Sequence, residues 1–375
     1  MGSFSYIILI IETLAAWAVL FAVQIPLRIR WHPVLRIIAI IVKVVLIPGT
    51  AILFVAVVCG FSYRHGDILN AVYIALIADT AADVIGFFAG LFRRKRPESP
   101  GRLHFPTLCG VLSLIFCAAL FVYGTWNAGN VTEQKHVWEA EGLERQHTFA
   151  FVADIHAGQA MSEEKLWELC LQINAESPEF VILGGDVTDE LTSYEDMTAV
   201  YRILSEIEAP VYFVYGNHDR QPDASLMGGR TYTDEQLTEE IRKAGIRILS
   251  DEFVKISDDL VLLGREDLSR DERIAWNGLS DPFGDGAALV VADHQPYDED
   301  QLAVEVSALQ LSGHTHAGQL WPLRAFYRYI LGLPAYGEFE EPGTRLYVTA
   351  GTFGWMIPMR TERHCEWDLI TLQPA

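Results

Sequence analysis

Residues 149–156 read FAFVADIH, an apolar run that ends with an aspartate and a histidine. Residues 180–186 read FVILGGD, and an aspartate again follows the apolar run. Short apolar runs bounded by turn residues are typical of buried β-strands. In α/β sheets, ligand-binding residues collect in loops just past the carboxyl ends of the strands. The two stretches therefore predict a sheet with a polar site at one edge.

The same pattern continues along the chain. Further apolar runs predict strands at Val211–Val214, Leu260–Leu263, Leu289–Ala292, Leu309–Leu311 and Leu346–Thr349. Helical periodicity separates several of the strands, at Glu163–Ala175, Tyr194–Ile207 and Asp234–Ala244. Strands that alternate with helices predict a layered α/β or α+β fold.

The first third of the chain shows a different pattern, with four long apolar runs. They are Phe4–Ile25, Val34–Cys59, Ile68–Phe92 and Phe105–Tyr123. Each run is close to the ~20 residues that a helix needs to cross the hydrocarbon core of a bilayer. We therefore expect a four-helix transmembrane region at residues 1–126, a polar linker at 127–147 and a folded domain at 148–375.

Basic residues in the loops predict the orientation of these helices. Arg28, Arg30 and Arg36 lie at the junction of the first two runs, and residues 93–96 add four basic side chains between the last two. Lys and Arg are enriched in cytoplasmic loops. The pattern predicts a multi-pass protein of the cell membrane whose C-terminal domain is extracytoplasmic.

Four ionisable residues fall inside the apolar runs: Glu12, Lys43, Asp79 and Asp83. Ionisable side chains are costly inside a membrane and are functional candidates there. They either fix the packing of the helices, as buried charge pairs can, or line a polar route for a lipid headgroup. The sequence leaves both roles open.

The charge of the chain restricts its partners. The first 130 residues contain ten Lys and Arg against five Asp and Glu, although the whole chain has a net charge of −21. The remainder is therefore strongly acidic, whereas binding to a nucleic-acid backbone requires clustered Lys and Arg. We expect no nucleic-acid partner, and small, lipidic or metal-chelated phosphates remain candidate ligands.

Five polar clusters follow predicted strands. They are Asp154-Ile155-His156, Gly185-Asp186, Gly216-Asn217-His218-Asp219, His294-Gln295-Pro296 and Gly313-His314-Thr315-His316. Each cluster alone is common, but together they offer carboxylate, amide and imidazole groups that suit Mn, Fe, Zn or Co. Two such ions about 3.5–4 Å apart can activate water and stabilise the charge of a phosphoryl group. The clusters therefore predict a two-metal phosphoesterase.

The order of the five clusters resembles the signature of the calcineurin-like metallophosphoesterases, over Asp154 to His316. Residues 311–319, LSGHTHAGQ, and 345–351, RLYVTAG, look like the membrane-attached bacterial branch of that family, which places transmembrane helices before the catalytic domain. The resemblance implies a layered metallophosphoesterase domain with a central β-sandwich flanked by helices. It also implies two divalent metal ions.

The resemblance implies a role for each residue. Three residues would hold one metal and three the second, with Asp186 between the ions: Asp154, His156 and His316 for the first, and Asn217, His294 and His314 for the second. His218 would stabilise or protonate the leaving oxygen, with Asp219 orienting its ring. Two departures from the family pattern, Ala317 and Asp293, predict altered packing around the ligands.

The segment from Leu320 to Pro334 is rich in aromatic residues and contains Arg324 and Arg328. This composition is typical of a membrane interface, although a loop that covers the sheet is an equal alternative.

We expect a lipid-borne phosphoester or pyrophosphate as the substrate. The alternatives are a tethered hydrolase of soluble nucleotides or phosphosugars, and a non-catalytic membrane sensor or scaffold. Arg265, Arg270 and Arg324 are candidates to offset the acidic surface near the substrate.

Overall fold

A computed structural model describes most of the chain from residue 122 onward. The described residues are 119, 122–158, 161–220, 230–280, 286–296, 308–321, 323–341, 344–355 and 359–375. The chain divides into two compact units, residues 1–123 and 124–375. Every strand described belongs to the second unit.

The second unit contains two six-stranded sheets. The strands of the first sheet, in spatial order, are β1 (Val131–Ala140), β12 (Cys365–Pro374), β2 (His147–Val152), β3 (Val181–Leu183), β4 (Val211–Phe213) and β5 (Arg247–Ile248). Those of the second are β10 (Gly337–Glu341), β11 (Thr344–Val348), β9 (Ala308–Ser312), β8 (Ala288–Ala292), β7 (Leu260–Gly264) and β6 (Glu252–Lys255). Neighbouring strands are parallel except in the pairs β12–β2, β10–β11 and β6–β7, so both sheets are mixed.

Helices connect several of the strands. They are α1 (Glu163–Glu176), α2 (Tyr194–Leu204), α3 (Asp234–Lys243) and the short α4 (Leu323–Phe326), which continues into a π-helical turn at Tyr327–Leu331. Single 3₁₀ turns lie at Trp276–Gly278 and His316–Gly318.

Local sequence explains where the three long helices begin. The side chains of Ser162, Ser193 and Thr233 each accept a hydrogen bond from a backbone N–H of the first turn. Such caps satisfy donors that have no partner within the helix. The first turn of each helix also carries two acidic residues, which interact favourably with the positive end of the helix dipole.

Alternation along β2 places its side chains in two different cores. Ala150 and Val152 pack with residues of the helices, including Leu166 of α1. Phe149 and Phe151 point to the opposite face, where they pack with residues of the second sheet such as Leu262. The first sheet therefore lies between the helices and the second sheet, and the layered α/β class that the sequence predicts is confirmed.

The seven strands and three helices predicted from apolar patterns are all present, with bounds that differ by a few residues. The segment 127–147, predicted as a linker, contains β1, which pairs in parallel with β12 over its full length. The sequence patterns also missed β5, β6, β10 and β12.

The four apolar runs of the N-terminal third lie outside the described residues, apart from a few positions at the end of the fourth. Glu12, Lys43, Asp79 and Asp83 lie outside them as well. Within the part of the chain that the structure describes, no helix has both the length and the apolar character that crossing a bilayer requires.

Candidate metal centre

The predicted metal ligands follow five strands of the two sheets, and the structure brings them together. They are Asp154 and His156 after β2, Asp186 after β3, Asn217 after β4, His294 after β8, and His314 and His316 after β9. The first three of these strands belong to one sheet and the last two to the other. The site therefore lies where the carboxyl ends of strands from both sheets meet.

Five of these seven residues have a left-handed backbone conformation. The φ angles are 58° at Asp154, 47° at His156, 52° at Asp186, 71° at His314 and 49° at His316. This conformation costs an L-residue about 1–2 kcal/mol. Backbone strain of this kind concentrates at functional sites, where the surrounding structure enforces it.

Asp154, His156 and His316 form the first group of potential ligands. His156 Nε2 lies 3.2 Å from His316 Nε2, which in turn lies 3.7 Å from an Asp154 carboxylate oxygen. His156 Nδ1 lies 3.1 Å from Asp189 Oδ2. Because a carboxylate only accepts hydrogen bonds, Asp189 holds the proton on Nδ1 and leaves the Nε2 lone pair for a cation.

Asp186, His294 and His314 form the second group. His294 Nδ1 donates a hydrogen bond to the Gly184 carbonyl at 2.8 Å, which turns Nε2 toward Asp186 Oδ2 at 3.0 Å. His314 Nδ1 lies 2.8 Å from the Asn217 side-chain oxygen, so the amide also reaches this group.

The Asp186 carboxylate contacts both groups. Its Oδ2 atom lies 3.0 Å from His294 Nε2 in the second group and 3.9 Å from His156 Nε2 in the first. Its Oδ1 atom accepts a hydrogen bond from the His218 backbone N–H at 2.8 Å. This placement is the one that a carboxylate shared by two ions requires.

Burial and neighbouring charges set the protonation of the site. Burial raises the pKa of Asp186, but His294 and His218 outweigh this effect and hold the pKa well below its ordinary value. Burial and the nearby His294 lower the pKa of His314 to about 4, and burial with the nearby His156 places the pKa of His316 well below its ordinary value. Asp186 is therefore ionised and these two histidines are neutral at pH 7, the forms that bind cations.

The donor set fits two divalent ions. Within each group, lone-pair atoms of imidazole and carboxylate groups lie within 4.8 Å of one another, and the residues of the first group are buried. Two imidazole nitrogens at 3.2 Å and an imidazole nitrogen at 3.0 Å from a carboxylate oxygen mark the places where a shared cation would satisfy both atoms. Nitrogen and oxygen ligands of this kind suit Mn, Fe, Zn or Co.

His218 lies beside the ligands and is held by a carboxylate. Its Nδ1 atom lies 2.7 Å from Glu190 Oε2, and both side chains are largely buried. Burial lowers the pKa of His218, but Asp186 and Glu190 outweigh this effect and raise it to about 9. The ring is therefore an imidazolium at pH 7, and the contact with Glu190 leaves Nε2 for a substrate.

The expected role of Asp219 in orienting the His218 ring was wrong. The Asp219 carboxylate instead accepts hydrogen bonds from the backbone N–H groups of Asp186, Thr188 and Gly216, at 2.8–2.9 Å, and from the Thr188 hydroxyl at 3.1 Å. The carboxylate therefore binds the backbone of the loops after β3 and β4 and not the ring. Glu190, which the sequence analysis did not single out, takes that place.

Gly216 allows two of the loops to approach closely. A Cβ atom at this position would lie 2.2 Å from Asp186 Oδ1 and 2.6 Å from the Asp186 backbone nitrogen. No side chain fits there, so glycine is needed for the Asp186 carboxylate to reach its position.

Of the two departures from the family pattern, the structure explains Asp293 and offers no explanation for Ala317. The Asp293 carboxylate is buried and paired with the Arg273 guanidinium at 2.6 Å, which neutralises it beside His294. Ala317 is buried with φ 50°, a conformation that glycine adopts more easily.

Among the basic candidates, Arg265 is buried and bound to Asp251 at 2.5 Å, whereas Arg270 contacts Glu272 and Arg324 lies on α4.

Two residues after β11 support the site without having been predicted. Arg360 is fully buried, and its guanidinium donates to the backbone carbonyls of His316, Ala350 and Phe353 at 2.8–3.2 Å. The Trp355 ring lies 4.9 Å from the His218 ring, measured between centroids. Neither residue stands in a polar cluster at a strand end, which is where the candidate site residues were sought.

The aromatic segment after His316 is exposed. Its apolar side chains are 38–77% exposed, and we call them the apolar ridge: Trp321, Leu323, Phe326, Tyr329, Ile330 and Leu331. The first part of the ridge is fixed by two hydrogen bonds, from Trp321 N–H to the Thr361 hydroxyl and from Arg324 N–H to Glu362. The ridge is therefore attached to the metal centre by a short, anchored connection.

Comparisons with known proteins agree with this geometry. Residues 147–318 match the family model described as calcineurin-like phosphoesterase. A Danio rerio protein named "transmembrane protein with metallophosphoesterase domain" is 30% identical over 295 residues, which cover 71% of this chain and 63% of that protein. The chain thus spans less than two thirds of this relative.

Two bacterial proteins are also similar. An uncharacterized metallophosphoesterase of Bacillus subtilis, YkuE, is 26% identical over 233 residues, covering 59% of this chain and 77% of that protein. The phosphodiesterase YaeI of Escherichia coli is 29% identical over 232 residues, covering 56% and 78%.

Proposed function

We propose that this chain, whose residues 147–318 match the calcineurin-like phosphoesterase model, is a membrane-anchored two-metal phosphoester hydrolase of that superfamily. Its proposed substrate is a lipid-borne phosphoester or pyrophosphate at the outer face of the membrane. The observation that carries the proposal is the convergence of two ligand groups on Asp186, next to an exposed apolar ridge.

The residues of the two groups fit the proposed roles as ligands. Asp154, His156 and His316 would hold one ion, and His294, His314 and Asn217 the other, with Asp186 between them. Two divalent ions bound there would supply Lewis-acid stabilisation of the phosphoryl oxygens and would lower the pKa of water.

His218 supplies a proton, which the predicted metal ligands do not. Glu190 holds its Nδ1 atom at 2.7 Å, so the proton on Nε2 is available for the oxygen that leaves the phosphorus. The same proton stabilises negative charge on that oxygen as the bond breaks. Asp219 joins the loop of Asp186 and Thr188 to the loop of Gly216 and so fixes the position of His218 relative to the ligands.

The apolar ridge supports a substrate in a lipid surface. Trp and Tyr favour the headgroup region of a bilayer, and Arg side chains can extend toward lipid phosphates. Both Arg324 and Arg328 are interspersed with the ridge, and Arg328 is exposed. The long apolar runs of residues 4–123 would hold the chain at such a surface. The bilayer is therefore the partner that we propose for the ridge.

The test is an assay of the purified, manganese-loaded full chain against phospholipid phosphoesters in mixed micelles and against soluble bis(4-nitrophenyl) phosphate. We expect hydrolysis of both classes. In the double variant Tyr329→Ser with Ile330→Ser, KM for the lipid should rise about tenfold, because two exposed apolar side chains no longer enter the micelle. KM for the soluble ester should stay within twofold of the unmodified value.

The matched control is Trp167→Ser with Leu171→Ser on α1, two side chains that are 44% and 56% exposed. This pair should leave both KM values unchanged. An equal effect of the ridge variant on both substrates, or none on either, would favour a tethered hydrolase of soluble phosphoesters. A full chain that binds no transition metal and hydrolyses neither substrate would favour a non-catalytic sensor or scaffold.

A further inference from the structure

Trp355 lies against the candidate metal centre and is firmly placed. Its ring centroid is 4.9 Å from that of His218 and 6.5 Å from that of His156. The side chain of Gln319 clamps the Trp355 backbone from both sides. Gln319 Oε1 accepts from the Trp355 N–H at 2.9 Å, and Gln319 Nε2 donates to the Trp355 carbonyl at 3.1 Å. Because Gln319 follows the ligand His316 by three residues, Trp355 is fixed relative to the metal centre.

Among the residues that the structure describes, the indole N–H of Trp355 finds no hydrogen-bond acceptor. Its Nε1 atom is buried, and no residue within the described ranges accepts a hydrogen bond from it. Buried polar groups without a partner are rare and each calls for an explanation. An indole N–H only donates, so a metal ion cannot satisfy it and an oxygen acceptor is required. Beside a phosphoesterase centre, the acceptor with the right chemistry is an oxygen of the phosphoester.

We propose that Trp355 is a substrate-binding residue whose indole N–H donates a hydrogen bond to a phosphoryl oxygen. Its ring also forms a wall of the site next to His218, against which the first carbons of the leaving group pack. This inference rests on the proposed phosphoesterase function and names a contact that determines substrate affinity. The contact is made in the bound substrate, so its loss weakens binding more than turnover.

The experiment compares the full chain with Trp355→Phe, which keeps an aromatic ring and removes the N–H. Binding of inorganic phosphate to manganese-loaded protein is measured by calorimetry, and hydrolysis of bis(4-nitrophenyl) phosphate by initial rates. We expect Kd for phosphate and KM for the ester to rise about tenfold, kcat to change less than threefold, and manganese content to stay the same. Trp167→Phe, on the exposed face of α1, should match the unmodified chain in every measurement.

The outcomes separate this inference from the function on which it rests. If the unmodified chain neither binds phosphate nor hydrolyses the ester, the proposed function fails. If the unmodified chain does both and Trp355→Phe behaves identically, the N–H makes no contact with the substrate and the inference is wrong. Loss of manganese from Trp355→Phe would also overturn it, because Trp355 would then support the metal centre and not the substrate.

Discussion

His218 contacts two buried carboxylates, one through its backbone and one through its ring. Its backbone N–H binds Asp186, and its ring binds Glu190, which is 3% exposed. At this scale, single side chains have separable functions. Asp186 belongs to the second ligand group and its carboxylate also approaches His156 of the first, whereas His218 and Glu190 are in neither group. Substitutions of these residues should therefore affect metal binding and turnover differently.

Replacing Asp186 by asparagine removes the charge that both ligand groups share. We expect Asp186→Asn to abolish hydrolysis and to retain fewer manganese ions per chain than the unmodified protein, since a neutral amide is a poor ligand for two cations. Elemental analysis and initial rates measure the two effects. A variant with full metal content and full activity would show that Asp186 does not lie between the ions.

Replacing His218 by alanine should leave the metal content unchanged and lower kcat on the order of 10²–10⁴-fold, the usual contribution of a general acid. Glu190→Gln should have a smaller effect of roughly tenfold, because the ring remains but loses its orienting charge. Loss of metal from His218→Ala would contradict the assignment. A Glu190→Gln variant as slow as His218→Ala would mean that Glu190 acts on the substrate itself.

At the scale of secondary structure, turns and strand ends are held by buried polar networks. Asp259 follows β6 and accepts hydrogen bonds from the backbone of Glu144 at 2.8 Å, the hydroxyl of Ser257 at 2.5 Å and the ring of His147 at 3.1 Å. This network joins the start of β2 in the first sheet to the turn between β6 and β7 in the second. It should contribute to stability far from the metal centre.

The stability conferred by Asp259 should depend on pH. Burial raises the pKa of Asp259, but the hydrogen bonds from Ser257 and Glu144 outweigh this effect and hold it below its ordinary value. A lowered pKa in the folded state stabilises the protein above the pKa of the unfolded chain, about 3.9, and this contribution is lost as the pH falls through the folded value. Asp259→Asn should therefore lower the free energy of unfolding by about 2 kcal/mol at pH 7.

Chemical denaturation at pH 7, 5 and 3 measures this effect. The difference between Asp259→Asn and the unmodified chain should be the same at pH 7 and 5 and smaller at pH 3. A difference that does not vary with pH would show that the network acts through shape and not through charge. Glu168→Gln, on the exposed face of α1, is a control that removes one carboxylate elsewhere.

The elements that sequence could predict share a simple physical property. Strands such as β2 and β3 are buried on both faces and consist of continuous apolar runs, so they are visible without knowledge of the fold. In contrast, β12 contains the buried carboxylates Glu366 and Asp368, and β1 is mostly polar. Their strand conformation depends on pairing with each other across more than 230 residues, which no local pattern records.

The metal centre shows the same division. The residues that the structure brings together at the candidate centre were predictable because each stands a few residues after the end of an apolar run, where position in the sequence and position in space coincide. Glu190 and Trp355 were not, because their roles follow from contacts with His218 that are 28 and 137 positions away in the chain. The role of Asp219 was assigned wrongly because its carboxylate, although next to His218 in the sequence, binds the backbone of Asp186 and Gly216.

At the scale of the whole molecule, two units with opposite charge follow each other along the chain. We predict that the full chain fractionates with membranes and resists extraction by high salt, since the apolar runs of residues 4–123 would have to be exposed to water otherwise. Ultracentrifugation of cell lysates measures this directly. Recovery of the intact chain in the supernatant would contradict the membrane anchor.

The orientation of the chain is a separate prediction. The basic loops predict an acidic C-terminal unit outside the cytoplasm, so we expect protease added to intact cells to remove residues 124–375. A cytoplasmic protein serves as the control for cell integrity. Protection of the C-terminal unit in intact cells, with cleavage only after lysis, would reverse the predicted orientation.

The left-handed backbone at Asp154, His156, Asp186, His314 and His316 has a consequence for engineering. Each of these five conformations costs about 1–2 kcal/mol. Together they lower the free energy of unfolding considerably, since that free energy is typically only about 5–15 kcal/mol. Laboratory selection for heat resistance alone would drift toward glycine at these five places. Selections for a more heat-resistant enzyme should keep these five residues constant and vary the helices and the exposed turns.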